Sequence, residues 1–224
     1  MQDVPERGMP YTMWMVDDTP VGAVMELPAK ARAMGAPSHW LPYIGTGDVD
    51  ATIEQALSLG GQVLVPTMDI PGVGQFAVLQ DPQGASFAVF TSATTGGVPA
   101  TGFGSFSWHE LLTTDPVAAF TFYNALFGWE KTSAMDMGPM GVYQMFGTDE
   151  RAYGGMFKTA ASMPAPPHWL CYVKVADAKA TAASVTATGG EVVNGPMEVP
   201  GGDWIVQVQD PQGATIAFHS SKLE

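Results

Sequence analysis

One stretch of this chain occurs twice, and that fact limits what it can fold into more than any other. Residues 36–92 open on Ala36-Pro37-Ser38-His39-Trp40-Leu41 and carry Gln80-Asp81-Pro82-Gln83-Gly84-Ala85 towards their end. Residues 165–221 repeat both signatures, as Ala165-Pro166-Pro167-His168-Trp169-Leu170 and Gln209-Asp210-Pro211-Gln212-Gly213-Ala214. The offset is a constant 129 residues without a gap, and 23 of the 57 aligned positions are identical. A tandem duplication obliges both copies to share one fold. A chain of 224 residues with 46% hydrophobic content has the length and the apolar mass for two such domains.

Local signals give the unit its order. Tyr11–Val16 and Val21–Leu27 read as strands around the turn Asp17-Asp18-Thr19-Pro20, and a polar bridge leads to His39-Trp40. Leu41–Ile44 reads as a strand, and Asp48 caps a helix running to Leu59 that stops at Gly60-Gly61. Gln62–Val65 is the next strand. Gln75–Leu79 and Ser86–Phe90 form a hairpin around Asp81-Pro82-Gln83-Gly84, where proline presets φ and glycine accepts a positive one. The unit is β-α-β-β-β. Residues 93–102 are small and polar, as suits a linker. Residues 103–157 repeat the order in divergent form: Phe106–Leu112, a helix from Asp115-Pro116 to Gly128, then Glu130–Ala134, Val142–Phe146 and Tyr153–Phe157.

The same comparison shows a gap in the symmetry. Three strand–Asp–helix–Gly units occur, at Asp48, Asp115 and Asp177, where the pattern predicts four. Residues 9–35 match only the later strands of 103–163. The expectation is a first domain (1–92) without its opening strand and helix, a linker (93–102) and a complete second domain (103–224). A truncated start explains the gap most simply; an open groove or a strand borrowed from another chain would accompany it.

Paired β-α-β-β-β modules with a closing Asp-Pro-Gln-Gly hairpin resemble the vicinal oxygen chelate superfamily of glyoxalase I, bleomycin-resistance proteins and extradiol dioxygenases. Trp108-His109-Glu110-Leu111-Leu112-Thr113-Thr114-Asp115, with Phe122-Tyr123 and Leu126-Phe127-Gly128-Trp129-Glu130, is similar to its two-domain glyoxalase-like branch. The resemblance implies an α+β fold of tandem paired modules whose curved sheets form cups. It implies little about chemistry, because one scaffold hosts many activities. Catalytic relatives hold a divalent metal with one ligand from the first and one from the last strand of each module. Carried onto this chain, those positions are Trp108, Leu170, Ala217 and the neighbourhood of Gly155-Met156, with Leu41 and Ala88 in the first domain. None offers the carboxylate, imidazole or amide oxygen that such metals require. The expectation is no metal and no cofactor.

Alternation along a strand places Trp108, Glu110 and Leu112 on one face, towards the cup. A carboxylate beside an indole can serve as a general acid or base, although a hydrogen-bonded structural glutamate fits the same pattern. His219 shares parity with Ala217 and is the other candidate for catalysis. Tyr143, Leu170, Tyr172 and Ala217 join Trp108 and Leu112 as candidate ligand-lining positions, with Tyr43 equivalent to Tyr172 in the first copy. Such walls suit a flat organic molecule, and inward aromatics also serve simply as core. His109 has the parity of the helix-packed face. His39 and His168 precede Trp in both copies and read as structural. Cys171, the single cysteine, reads as a buried small hydrophobe.

A net charge of −13 repels phosphate backbones and anionic lipid, so nucleic acid and membrane are excluded as expected partners. One cysteine and no basic-then-apolar start make cytoplasmic the default. The expected function is metal-independent binding of a small apolar or aromatic molecule in the second-domain cup, the sequestration of bleomycin-resistance-type members. The alternatives are an isomerase, epimerase or lyase using Glu110 for proton transfer, or a non-catalytic interaction module. Homodimer formation stays open.

Overall fold

A computed structural model describes residues 2–3, 11–94, 100–149, 151–159 and 165–221, with backbone alone at 2, 3 and 140. The middle of the expected linker, 95–99, and residues 4–8 of the polar start lie outside the described residues. The elements in chain order are β1 (Gln2–Asp3), β2 (Tyr11–Val16), β3 (Thr19–Met25), α1 (Ala29–Ala33), β4 (Tyr43–Gly45), α2 (Val49–Ser58), β5 (Gln62–Ile70), β6 (Gly74–Gln80) and β7 (Ser86–Ser92). There follow β8 (Phe106–Thr113), α3 (Pro116–Phe127), β9 (Glu130–Asp136), a 3₁₀ turn (Gly138–Met140), β10 (Val142–Thr148) and β11 (Arg151–Lys158). The last module has β12 (His168–Lys174), α4 (Ala178–Ala187), β13 (Glu191–Glu198), β14 (Trp204–Gln209) and β15 (Thr215–Ser220).

The fold is α+β, and its three complete modules share one strand order. In each, the first strand pairs in parallel with the last: β4 with β7, β8 with β11, β12 with β15. The middle strands then follow antiparallel, giving β4-β7-β6-β5 and its equivalents. Asp48, Asp115 and Asp177 each cap their helix through the side chain, accepting from Ala51, from Val117 and Ala118, and from Lys179 and Ala180. Gly128 ends α3 in the left-handed conformation at φ +67.

The differences from the sequence reading have local causes. β3 begins at Thr19, because the turn is the pair Asp17-Asp18 with Asp17 at φ +50. Part of the polar bridge is the short helix α1, with Arg32 bonded to Glu26 at 2.8 Å. β5 runs past Pro66 to Ile70, since the register shifts between Val65 and Met68 and spares proline a ladder bond. β13 uses the same device around Pro196, between Asn194 and Met197.

The chain forms two compact units. The first comprises Met1–Trp40, Val98–Ser107 and Cys171–Glu224; the second comprises Leu41–Gly97 and Trp108–Leu170. In the second, Val49 and Ala56 of α2 and Ala119, Phe122 and Tyr123 of α3 are buried with Leu79, Phe87, Leu111, Phe146 and Met156. Each large apolar side chain buried here is worth about 1.5–3 kcal/mol. Tyr123 Oη donates to Asp81 and accepts from Trp169 Nε1, so this buried hydroxyl is satisfied both as donor and as acceptor. In the first unit, Ala178 and Ala182 of α4 pack with Val206, Val208 and Ile216, and Phe106, Trp40 and Trp204 border them.

Candidate functional site

The second unit holds a connected polar chain on β8, β10 and β11. Trp108 Nε1 donates to Tyr143 Oη at 2.8 Å, and Tyr143 Oη donates to Glu110 Oε1 at 2.9 Å. Trp108 and Glu110 lie two residues apart on β8, so the pleat puts both on one face. Tyr143 reaches them from β10 across β11, which places Gly155 opposite Glu110 in register. A Cβ at Gly155 would meet the Tyr143 ring at 2.1 Å, so the missing side chain makes room for the phenol. Phe157, opposite Leu112 on the same strand pair, lies 5.7 Å from the Tyr143 ring. All three polar residues are half-buried, whereas Leu112 is buried.

A different set is assembled in the first unit. Ser107 Oγ lies 2.8 Å from His219 Nδ1, and His219 Nε2 lies 3.4 Å from Asp203 Oδ2. Tyr172 is opposite Ala217 in register, and its hydroxyl accepts from Gln207 Nε2 at 3.0 Å. Gln207 Oε1 in turn accepts from Asn194 at 3.2 Å. Desolvation holds His219 below the usual histidine value, an effect that the Asp203 charge opposes. Tyr172 and Ala217 are buried, and so is Leu170 of the second unit.

Other residues weighed from the sequence have structural positions. His39 and His168 place Nδ1 at 2.7 and 2.8 Å from the carbonyls of Pro37 and Pro166, the same contact in both copies. His109 is half-buried, with Nδ1 at 3.4 Å from the Tyr153 carbonyl, and desolvation lowers its proton affinity. Cys171 is buried and its thiol is pushed up to about 12 by desolvation. Tyr43 is 54% exposed against Phe76, unlike its repeat partner Tyr172. Sequence reasoning missed Ser107, Asp203 and Gln207, and weighed Gly155 only as a ligand position unable to hold a metal. Ser107 has the opposite parity to Trp108, and its partner His219 is 112 residues away. Gly155 carried one signal, a glycine at a strand position where a side chain was expected to matter.

The donor set does not fit a divalent metal. Of the positions that would hold one, Trp108 contributes an N–H already spent on Tyr143, Gly155 has no side chain, and Leu170 and Ala217 are apolar. Among the described residues, no three His, Cys, Asp or Glu side chains gather as a metal would require.

Comparison with known proteins names the group. A family profile, the Glyoxalase/Bleomycin resistance protein/Dioxygenase superfamily, matches residues 105–218. CFP32 of Mycobacterium tuberculosis (strain CDC 1551 / Oshkosh), provisionally named a glyoxylase, is 34% identical over 213 residues, 94% of this chain and 80% of that protein. The anthracycline biosynthesis protein DnrV of Streptomyces peucetius is 34% identical over 182 residues, 80% of this chain and 65% of its own length. Among solved structures, the Mn(II)-bound glyoxalase of Novosphingobium aromaticivorans superposes with a TM-score of 0.58 at 15% identity, over 81% of this chain and 62% of that one. The 2,2',3-trihydroxybiphenyl 1,2-dioxygenase of Sphingomonas wittichii strain RW1 gives 0.57 at 13% identity, over 80% and 70%. Those two likenesses are of fold. The chain belongs to the glyoxalase/bleomycin resistance/dioxygenase superfamily, also termed vicinal oxygen chelate. No helix among the described residues is long and apolar enough to cross a membrane.

Proposed function

We propose that this protein binds a small, flat, largely aromatic molecule without a metal, on the face carrying Trp108, Glu110 and Tyr143. The observation that carries the reading is the substitution of chemistry at the ligand positions. Where relatives would place metal donors, Trp108 and Gly155 instead seat a phenol hydrogen-bonded to an indole and a carboxylate. That arrangement offers aromatic surface for stacking and fixed polar groups for orientation, the two things an aromatic ligand with a hydroxyl or carbonyl needs. The relative named for anthracycline biosynthesis points to the same class, since anthracyclines are fused-ring aromatics. Leu112, two residues beyond Glu110 on β8, has the parity of this face and is buried, as is Leu170; Tyr172 and Ala217 occupy the matching strand positions of the first unit. The test is titration of chelator-treated protein with a hydroxylated anthraquinone, followed by tryptophan fluorescence. Saturable quenching that Tyr143→Phe weakens about tenfold, the worth of one hydrogen bond, supports it. Quenching that needs added metal, or that Tyr143→Phe leaves unchanged, overturns it.

A second reading has its own observation. The 2.9 Å bond from Tyr143 to Glu110 puts a carboxylate and a phenol in contact, a pair able to take a proton from carbon and return it. Glu110 would be the base in an isomerase, epimerase or lyase, and Tyr143 its partner. Uptake of solvent deuterium at the α-carbon of a bound carbonyl compound, lost in Glu110→Gln, would select this reading. Deuterium uptake that survives Glu110→Gln would remove it.

A further inference from the structure

The first unit contains a second assembly that shares no residue with the Trp108–Tyr143–Glu110 chain, and we propose that Ser107, His219 and Asp203 form a nucleophile–base–positioner set that cleaves small carboxylic esters. The distances are 2.8 Å from Ser107 Oγ to Nδ1 and 3.4 Å from Nε2 to Asp203 Oδ2. A carboxylate facing Nε2 favours the proton on that nitrogen, and in that tautomer Nδ1 accepts from the Ser107 hydroxyl. The hydroxyl's alternative acceptor, the Tyr172 carbonyl, is farther at 3.3 Å. Nucleophile, base and positioner thus stand in order, recognised by geometry and role rather than by chain position. The order of the two imidazole nitrogens is the reverse of the usual one, which leaves the roles intact because each nitrogen can give or take the proton.

The set is built from three separated segments. Ser107 is the second residue of β8, His219 the last but one of β15, and Asp203 immediately precedes β14, whose Ile205 is opposite His219 in register. Side-chain exposures of 18% for His219 and 44% for Asp203 leave the site reachable by a small substrate. Lowered proton affinity keeps the imidazole neutral near pH 7, the form a base needs, and burial is the main cause. Lys174, opposite His219 in register, contributes positive charge at the same strand end, where a developing oxyanion would be favoured.

The step balances without any further reagent. Ser107 Oγ forms a bond to the ester carbonyl carbon as its proton moves to Nδ1. The carbon–oxygen bond to the leaving alcohol breaks, and that oxygen takes the proton from Nδ1. Water then attacks the acyl-serine, giving its proton to Nδ1, and Ser107 recovers it as the acid leaves.

The experiment uses the full chain and a fluorophosphonate probe, with peptide mapping by mass spectrometry. The expected result is one adduct, on Ser107, with p-nitrophenyl acetate hydrolysis lost in step. His219→Gln slows labelling about 10²-fold, at the low end of what a positioned base supplies. Asp203 acts through His219, so Asp203→Asn slows labelling less and moves its pH midpoint downward, because a charge raising the imidazole's proton affinity is gone. The groups facing that imidazole are Ser107, Asp203 and Lys174. No adduct on Ser107 in folded wild-type protein overturns the proposal, as does labelling that His219→Gln leaves unchanged while circular dichroism shows the fold intact. Wild-type mapping decides even if Ser107→Ala fails to fold.

Discussion

Gly155 shows what one side chain controls. Its absent Cβ leaves the space that the Tyr143 ring fills, so Gly155→Val must expel the phenol from between Trp108 and Glu110. The neighbouring change is of another kind, since a Cβ at Gly154 meets the His109 carbonyl at 1.8 Å and strikes backbone. We therefore expect Gly155→Val to abolish ligand quenching while keeping a cooperative melt, and Gly154→Val to lower the melting temperature sharply; thermal denaturation beside the fluorescence titration checks both. Cys171 gives a simpler prediction. With its thiol pushed up to about 12, only about 10⁻⁴ of it is thiolate at pH 8, so a disulfide-exchange reagent reacts after unfolding and not before. His109 sets a pH dependence. Burial lowers its proton affinity in the fold, so the unfolded chain protonates first as pH falls below the ordinary value of 6.5. Its contribution is complete above that pH and lost below it, and a melting temperature falling between roughly pH 6.5 and 5, less so in His109→Gln, would show it. The pairing of Trp108 with Glu110 was legible at this scale, because strand parity alone delivers it. Ser107 with His219 was not, because no local pattern reports a contact across 112 residues.

At the scale of elements, the Asp-Pro-Gln-Gly hairpin is the part most fully written in the sequence. Asp81 Oδ1 accepts from the amides of Gln83, Gly84 and Ala85, and Oδ2 from Tyr123, which ties the turn to α3. The repeat position Asp210 accepts from Gln212 and Ala214 and is less buried. Asp81→Ala should therefore cost about 3 kcal/mol and Asp210→Ala about 1, readable as unequal shifts in chemical denaturation midpoint. Equal shifts would mean that the link to Tyr123 contributes nothing. Helix caps were equally legible, since an aspartate before an apolar helical pattern has one good use. Strand ends were less so. β5 and β13 continue past prolines because register shifts absorb them, and a shift is a property of two strands together.

For the molecule as a whole, the gapless repeat made the β-α-β-β-β order readable in advance, and three complete modules share it in the structure. Membership of the superfamily followed from the same signatures. Chemistry was not readable in the same way, because it depends on which side chains distant strands bring together. The proposed function rests on organic groups standing where the metal donors would. Its most direct measurement is isothermal titration of a hydroxylated anthraquinone into protein stripped with chelator, with metal content determined on the same sample. Stoichiometric binding that is unchanged by chelator and lost in Gly155→Val is the expected result. Stoichiometric metal in the purified protein, with binding that disappears on its removal, would contradict it.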